Sequence, residues 1–122
     1  MSETDTLNPA ALERLVKLGG DKFASDMVTL FLSYGGSKVA EARQVQQSGN
    51  LAGVADAVHP LKSSAGNVGA TRVQALATSL EEAAKAGKAD QVTAQMDELE
   101  QAFAEVKTLL ESELTRIKAR QQ

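Results

Sequence analysis

Apolar residues along this chain recur with the period of a helix almost everywhere. Val54, Val58, Leu61, Ala65 and Val68 step by four, three, four and three, which marks one face of a helix. Ahead of them, Asn8-Pro9 is a helix start, with Asn as N-cap and Pro in the first turn, followed by Leu12, Leu15 and Val16 and closed by Gly19-Gly20. Asp21 can cap a second helix that places Phe23, Met27, Leu30, Phe31 and Tyr34 on one face. Gly35-Gly36 interrupts that pattern before Val39, Ala42 and Val45 resume it, which predicts a kink or local break; two separate helices are the alternative. Ser48-Gly49-Asn50 reads as a turn, with Asn50 capping a third helix from Leu51 to about Asn67 that ends at Gly69.

Thr71 is the expected cap of a fourth helix, with Val73, Leu76, Leu80 and Ala83 inward and Gln74, Thr78, Glu81 and Lys85 outward, stopped at Gly87. The fifth helix has the clearest period: Val92, Met96, Leu99, Phe103, Val106, Leu110, Leu114 and Ile117. Its length predicts last turns that project beyond the rest, and its seam offers a possible dimer contact. No strand pattern competes. The expected architecture is all-α: an antiparallel four-helix bundle with a short N-terminal helix as a cap. Residues 1–122 read as a single domain, with 1–7 disordered and 118–122 a frayed tail.

Composition narrows the function. Aromatics are 3% of the 122 residues, and the net charge of -3 argues against a general nucleic-acid binder. Zero cysteines leave no thiol nucleophile and no thiolate metal site, and with one histidine a zinc site is not expected. No apolar run approaches the roughly 20 residues that span a bilayer. The N-terminus lacks the apolar core of a signal peptide, so the expected location is cytoplasmic.

The one candidate for chemistry is His59, the only histidine. His59, Lys62, Ser63 and Gly66 share a helix face turned away from the apolar stripe. A neutral imidazole offers a nucleophilic nitrogen near neutral pH. Phosphoryl transfer to it needs in-line approach and charge stabilisation more than covalent machinery. Lys62 offers an ammonium one turn on, and Ser63 and Ser64 offer hydroxyl donors. Ala52, Ala55 and Gly66 are small, and with Asp56 they complete the expected partner surface around His59. Between Leu51 and Arg72 only Asp56 opposes Lys62 and Arg72, so the stretch is locally positive in an acidic chain.

His59-Pro60-Leu61-Lys62-Ser63-Ser64-Ala65-Gly66-Asn67-Val68-Gly69-Ala70 resembles the signature of histidine-phosphotransfer (HPt) domains. The resemblance implies a helical bundle of this length. His59 would take a phosphoryl group from an aspartate of one receiver domain and give it to another, with Lys62 as its electrostatic neighbour. It further implies response-regulator receiver domains and a hybrid sensor kinase as partners. Mg²⁺ would reside in the receiver, so no cofactor and no metal is expected here. Gly66, Gly69 and Ala70 match the small positions near the helix end.

Three positions depart from the pattern: Ser63 replaces the usual glycine, Ala65 replaces a serine, and Pro60 lies inside the helix, where proline normally costs roughly 3 kcal/mol. That predicts a kink at Pro60 or a helix restarting near His59. Glu81 is the nearest match to a polar residue that some relatives place beside the phosphoryl group, but its charge opposes an anion. Glu81-Glu82 is therefore expected on a solvated face.

The expected function is that of a monomeric phosphocarrier in a phosphorelay, without autokinase activity because no ATP-binding signature is present. The alternative is a non-catalytic adaptor, a degenerate HPt bundle that binds a signalling partner without phosphotransfer.

Overall fold

The computed structural model describes residues 6–120, and among these every regular element is a helix. The first two predicted helices fall in one element, α1 (Pro9–Gln47), broken at Gly20. There φ is 88° and ψ 179°, a conformation that a side chain would strain, so the chain turns between a short capping helix and the first long helix. Helices α2 (Leu51–Val68), α3 (Thr71–Lys85) and α4 (Ala89–Arg120) follow through short turns. Each packs on its chain neighbour, and α4 closes the ring against α1. This is the expected all-α, four-helix bundle with an N-terminal cap.

The caps explain the boundaries. The Asn8 side chain accepts from the Ala10 N–H at 3.1 Å, and the Asn50 side chain from the Gly53 N–H at 2.8 Å. Thr71, by contrast, is the first residue of α3 and not its cap. Ala70 takes the capping position with no side-chain bond, and its carbonyl receives the Gln74 N–H at 2.9 Å.

The α2 stripe is buried as its period requires: Val54, Val58, Leu61 and Ala65 are fully buried, and Val68 nearly so. Each valine and Leu61 contributes roughly 1.5–3 kcal/mol through burial. Val73, Leu76, Leu80 and Ala83 of α3 meet them, as do Val92, Met96, Leu99, Val106 and Leu110 of α4.

Several expectations are corrected. Gly35-Gly36 produces no break, because α1 is helical through both. The reason for Gly35 is packing: a Cβ there would lie 3.0 Å from the Phe103 ring and 3.3 Å from that of Phe31, which pack together at 5.7 Å. Helix α2 likewise runs unbroken through Pro60. Proline deprives only the Asp56 carbonyl of its helical donor, and Asp56 is exposed, where water can satisfy that oxygen. Phe23, Leu30 and Tyr34, read as one buried face with Phe31, stay partly exposed, Leu30 at 59%.

The end of α4 does not project freely. Ile117 is buried, it lines a cleft with Leu12 and Val16 of the capping helix, and Arg120 pairs with Asp21 at 2.7 Å. Most of that seam is buried within the chain, with Leu114 partly so. Thr6 and Leu7, expected to be disordered, are buried, and α4 remains helical over 118–120, where fraying was expected. The rest of both tails, 1–5 and 121–122, lies outside the described residues.

Candidate functional site

His59 stands midway along α2 with 63% of its side chain exposed. Opposite it, Glu81 of α3 is buried, at 6% exposure, where a solvated residue was expected. Its position follows from its neighbours on the helix. Ala77 and Ala84, four before and three after, are both buried, so Glu81 lies at the edge of the inward face and turns toward α2. Buried alanines on both helices, Ala55, Ala65, Ala77 and Ala84 among them, leave little bulk between the two.

A buried carboxylate is costly unless it is paired. Three groups pair this one. His59 Nδ1 is 2.5 Å from Glu81 Oε2, Lys62 Nζ is 2.5 Å from Oε1, and Lys85 Nζ lies 3.6 Å from Oε2. The Lys62 hydrogen bond, then that of His59 and both charges, hold the Glu81 carboxyl at about 2, well below its ordinary range and against the opposing effect of burial. Glu81 is therefore an anion at neutral pH and can only accept. The ring nitrogen facing it must carry the proton, so the neutral imidazole is the Nδ1–H tautomer with a free lone pair on Nε2. The result is an imidazole oriented by a buried carboxylate, an arrangement suited to a nucleophile.

The other expected site residues divide. Ala52, Asp56 and Ser63 are exposed with His59, as a partner surface requires. Ala55 is not part of that surface, being 4% exposed and packed in the core. Gly66 is half-buried, and its small size makes room for Gln74, whose Nε2 would lie 2.7 Å from a Cβ there. The Ser63 and Ser64 hydroxyls donate to the Pro60 carbonyl at 3.5 and 3.0 Å. Lys62 stands beside His59 as expected, but its short contact is to Glu81.

Glu81 is the residue the sequence reading weighed and set aside for its charge, and its flanking by Ala77 and Ala84 was the available signal of burial. Also unanticipated is an apolar groove of about 310 Å³ between α1 and α2, lined by Met27, Leu30, Phe31, Tyr34, Ser64, Asn67 and Val68. Ser64 and Asn67 lie five and eight residues beyond His59, roughly 8 and 12 Å along the axis at 1.5 Å per residue. The groove thus lies further along α2 than His59, which does not line it.

Comparison with known proteins bears on the family and the fold. A family model described as the Hpt domain matches residues 26–119. The fold is similar to the crystal structure of histidine-containing phosphotransfer protein B (HptB) from Pseudomonas aeruginosa PAO1, with a TM-score of 0.85 and 22% identity. That likeness covers 91% of this chain and 96% of the other. No curated protein matches the sequence.

Proposed function

The chain belongs to the Hpt domain family and is a phosphorelay histidine-phosphotransfer protein with receiver domains as partners; from that premise we propose that His59 Nε2 is the atom that carries the phosphoryl group. One observation carries the assignment: the only histidine of the sequence is exposed, with its Nδ1 hydrogen-bonded to a buried carboxylate.

The step balances simply. The Nε2 lone pair attacks the phosphorus of an aspartyl phosphate, an N–P bond forms, and the acyl P–O bond breaks with its electron pair leaving on the aspartate carboxylate. The imidazole keeps its Nδ1 proton and becomes cationic, and Glu81 balances that charge. Return transfer reverses each change. Lys62 secures Glu81, and Lys85, 67% exposed beside it, brings a second ammonium to the site. The Mg²⁺ of this chemistry belongs to the receiver domain, so the chain itself holds no cofactor.

The receiver docks on the face of Ala52, Asp56, His59 and Ser63, and an apolar projection of its surface enters the groove between Leu30, Tyr34 and Asn67. Exposed residues of α2 contribute to both the histidine face and the groove, which supports this placement. A hybrid sensor kinase supplies the phosphoryl group, and the chain acts as a cytoplasmic monomer. Among the described residues no helix is long and apolar enough to cross a membrane.

Intact-protein mass after incubation with phosphoramidate or a phosphorylated receiver domain tests the reading. The expected gain is one acid-labile phosphoryl group, absent from His59→Gln, whose helical content should match wild type. No gain with any donor would return the chain to the adaptor reading.

A further inference from the structure

Glu81 has a consequence after phosphorylation as well as before it. Phosphoryl groups leave imidazole most readily when the second ring nitrogen is protonated, because the ring then departs neutral. On free phosphohistidine that proton is lost as pH rises, and transfer slows.

Here the second nitrogen is Nδ1, and it faces Glu81 Oε2 at 2.5 Å. The carboxylate is buried and fixed through its other oxygen by Lys62 at 2.5 Å. We propose that Glu81 keeps the Nδ1 proton in place on the phosphorylated ring, so that His59 holds its phosphoryl group in the protonated, readily transferred form across neutral and mildly alkaline pH.

This inference rests on Nε2 being the phosphoryl acceptor. It also removes proton movement from both directions of the relay. In the forward step the N–P bond forms and Nδ1–H stays. In the return step the N–P bond breaks, its electron pair goes back to Nε2, and Nδ1–H stays again.

The charged groups facing the ring act on the same proton. Lys62 and Lys85 oppose its retention through their positive charge, but both are directed at Glu81. Asp56, one turn earlier on α2 and exposed, favours it weakly. The dianionic phosphoryl group on Nε2 favours it as well. Among these, Glu81 is the only one in hydrogen-bond contact with Nδ1. A hydrogen bond to a charged group is worth enough to displace a titration by about one to two pH units.

The measurement is ¹⁵N and ³¹P NMR of the full chain phosphorylated with phosphoramidate, followed from about pH 6 to 9 around the ordinary histidine range, for wild type, Glu81→Gln and Glu81→Asp. In wild type the Nδ1 resonance should remain that of a protonated nitrogen over most of the range. Glu81→Gln should deprotonate about one to two pH units lower and, above its midpoint, lose phosphate roughly 10-fold more slowly than wild type. Glu81→Asp, which restores a carboxylate, should recover part of the wild-type profile. Coincident titrations of wild type and Glu81→Gln would overturn the proposal while leaving the relay intact, as would phosphorus bonded to Nδ1. Failure of His59 to accept phosphate from phosphoramidate and from receiver domains alike would overturn the relay reading and this one together.

Discussion

Asn8 donates its backbone N–H to the Gly69 carbonyl at 2.8 Å, tying the entry of the capping helix to the turn that ends the histidine helix. At Gly69 φ is 80°, and a Cβ would run into the Asn8 carbonyl and the Ala11 side chain. Both the left-handed conformation and the close approach exclude a side chain.

Gly69→Ala should therefore destabilise the bundle by about 1–3 kcal/mol, the left-handed penalty plus the displacement of Asn8. A urea midpoint lowered at unchanged slope would confirm it. A midpoint equal to wild type would show that the turn absorbs the methyl group freely.

At Gly35 two effects oppose. Alanine would gain roughly 1 kcal/mol in helix propensity but sit 3.0 Å from the Phe103 ring. Gly35→Ala should be near neutral, whereas Gly35→Leu should cost about 1–3 kcal/mol by overpacking Phe31 and Phe103. Thermal unfolding of the two variants separates packing from propensity.

Acid should weaken the fold through Glu81. Its carboxyl sits at about 2 in the folded chain against an ordinary value of 4.5, so the unfolded chain binds the proton more tightly. The stabilisation is complete above about 4.5 and lost as pH falls toward 2. Urea midpoints of wild type should fall across that window, and those of Glu81→Gln should fall less. Parallel profiles would mean that other carboxylates govern acid unfolding.

The apolar groove should matter to the partner and not to the chemistry at His59. Leu30 is 59% and Tyr34 40% exposed, so Leu30→Ala with Tyr34→Ala should leave stability within about 1 kcal/mol. Transfer from a phosphorylated receiver should slow by about 10-fold, the scale of one or two interface anchors. Labelling by phosphoramidate should be unchanged, because that small donor does not use the groove. Equal loss with both donors would place the effect at His59 itself.

Lys85 offers a smaller, salt-sensitive effect. Lys85→Gln should lower phosphoryl occupancy at a fixed phosphoramidate concentration by about 2- to 5-fold, the range of an exposed ion pair. Added salt should shrink the difference. Occupancy equal to wild type at low salt would exclude Lys85 from the phosphoryl site.

The sequence by itself determined the helices, the core and the one histidine that is a candidate for chemistry. Val54, Val58, Leu61, Ala65 and Val68 declare their face by period alone, and burial follows because no other face of α2 is apolar enough to pack. Asn8, Asn50 and Gly69 fix helix ends through local chemistry that needs no partner. A single histidine on the face opposite the core was legible for the same reason.

What lay across the bundle was not legible, because contacts between helices depend on side-chain size and axis position, which no local pattern records. Tertiary packing decided that Gly35 serves Phe103 and not a kink, that Ala55 is core, and that the end of α4 is held by Asp21 and the capping helix. It also decided the character of the site. Glu81 reads as a solvated acid along the chain, yet once α3 packs on α2 it is buried between His59 and Lys62. There a charge expected to repel a phosphoryl group is the one that orients the His59 ring.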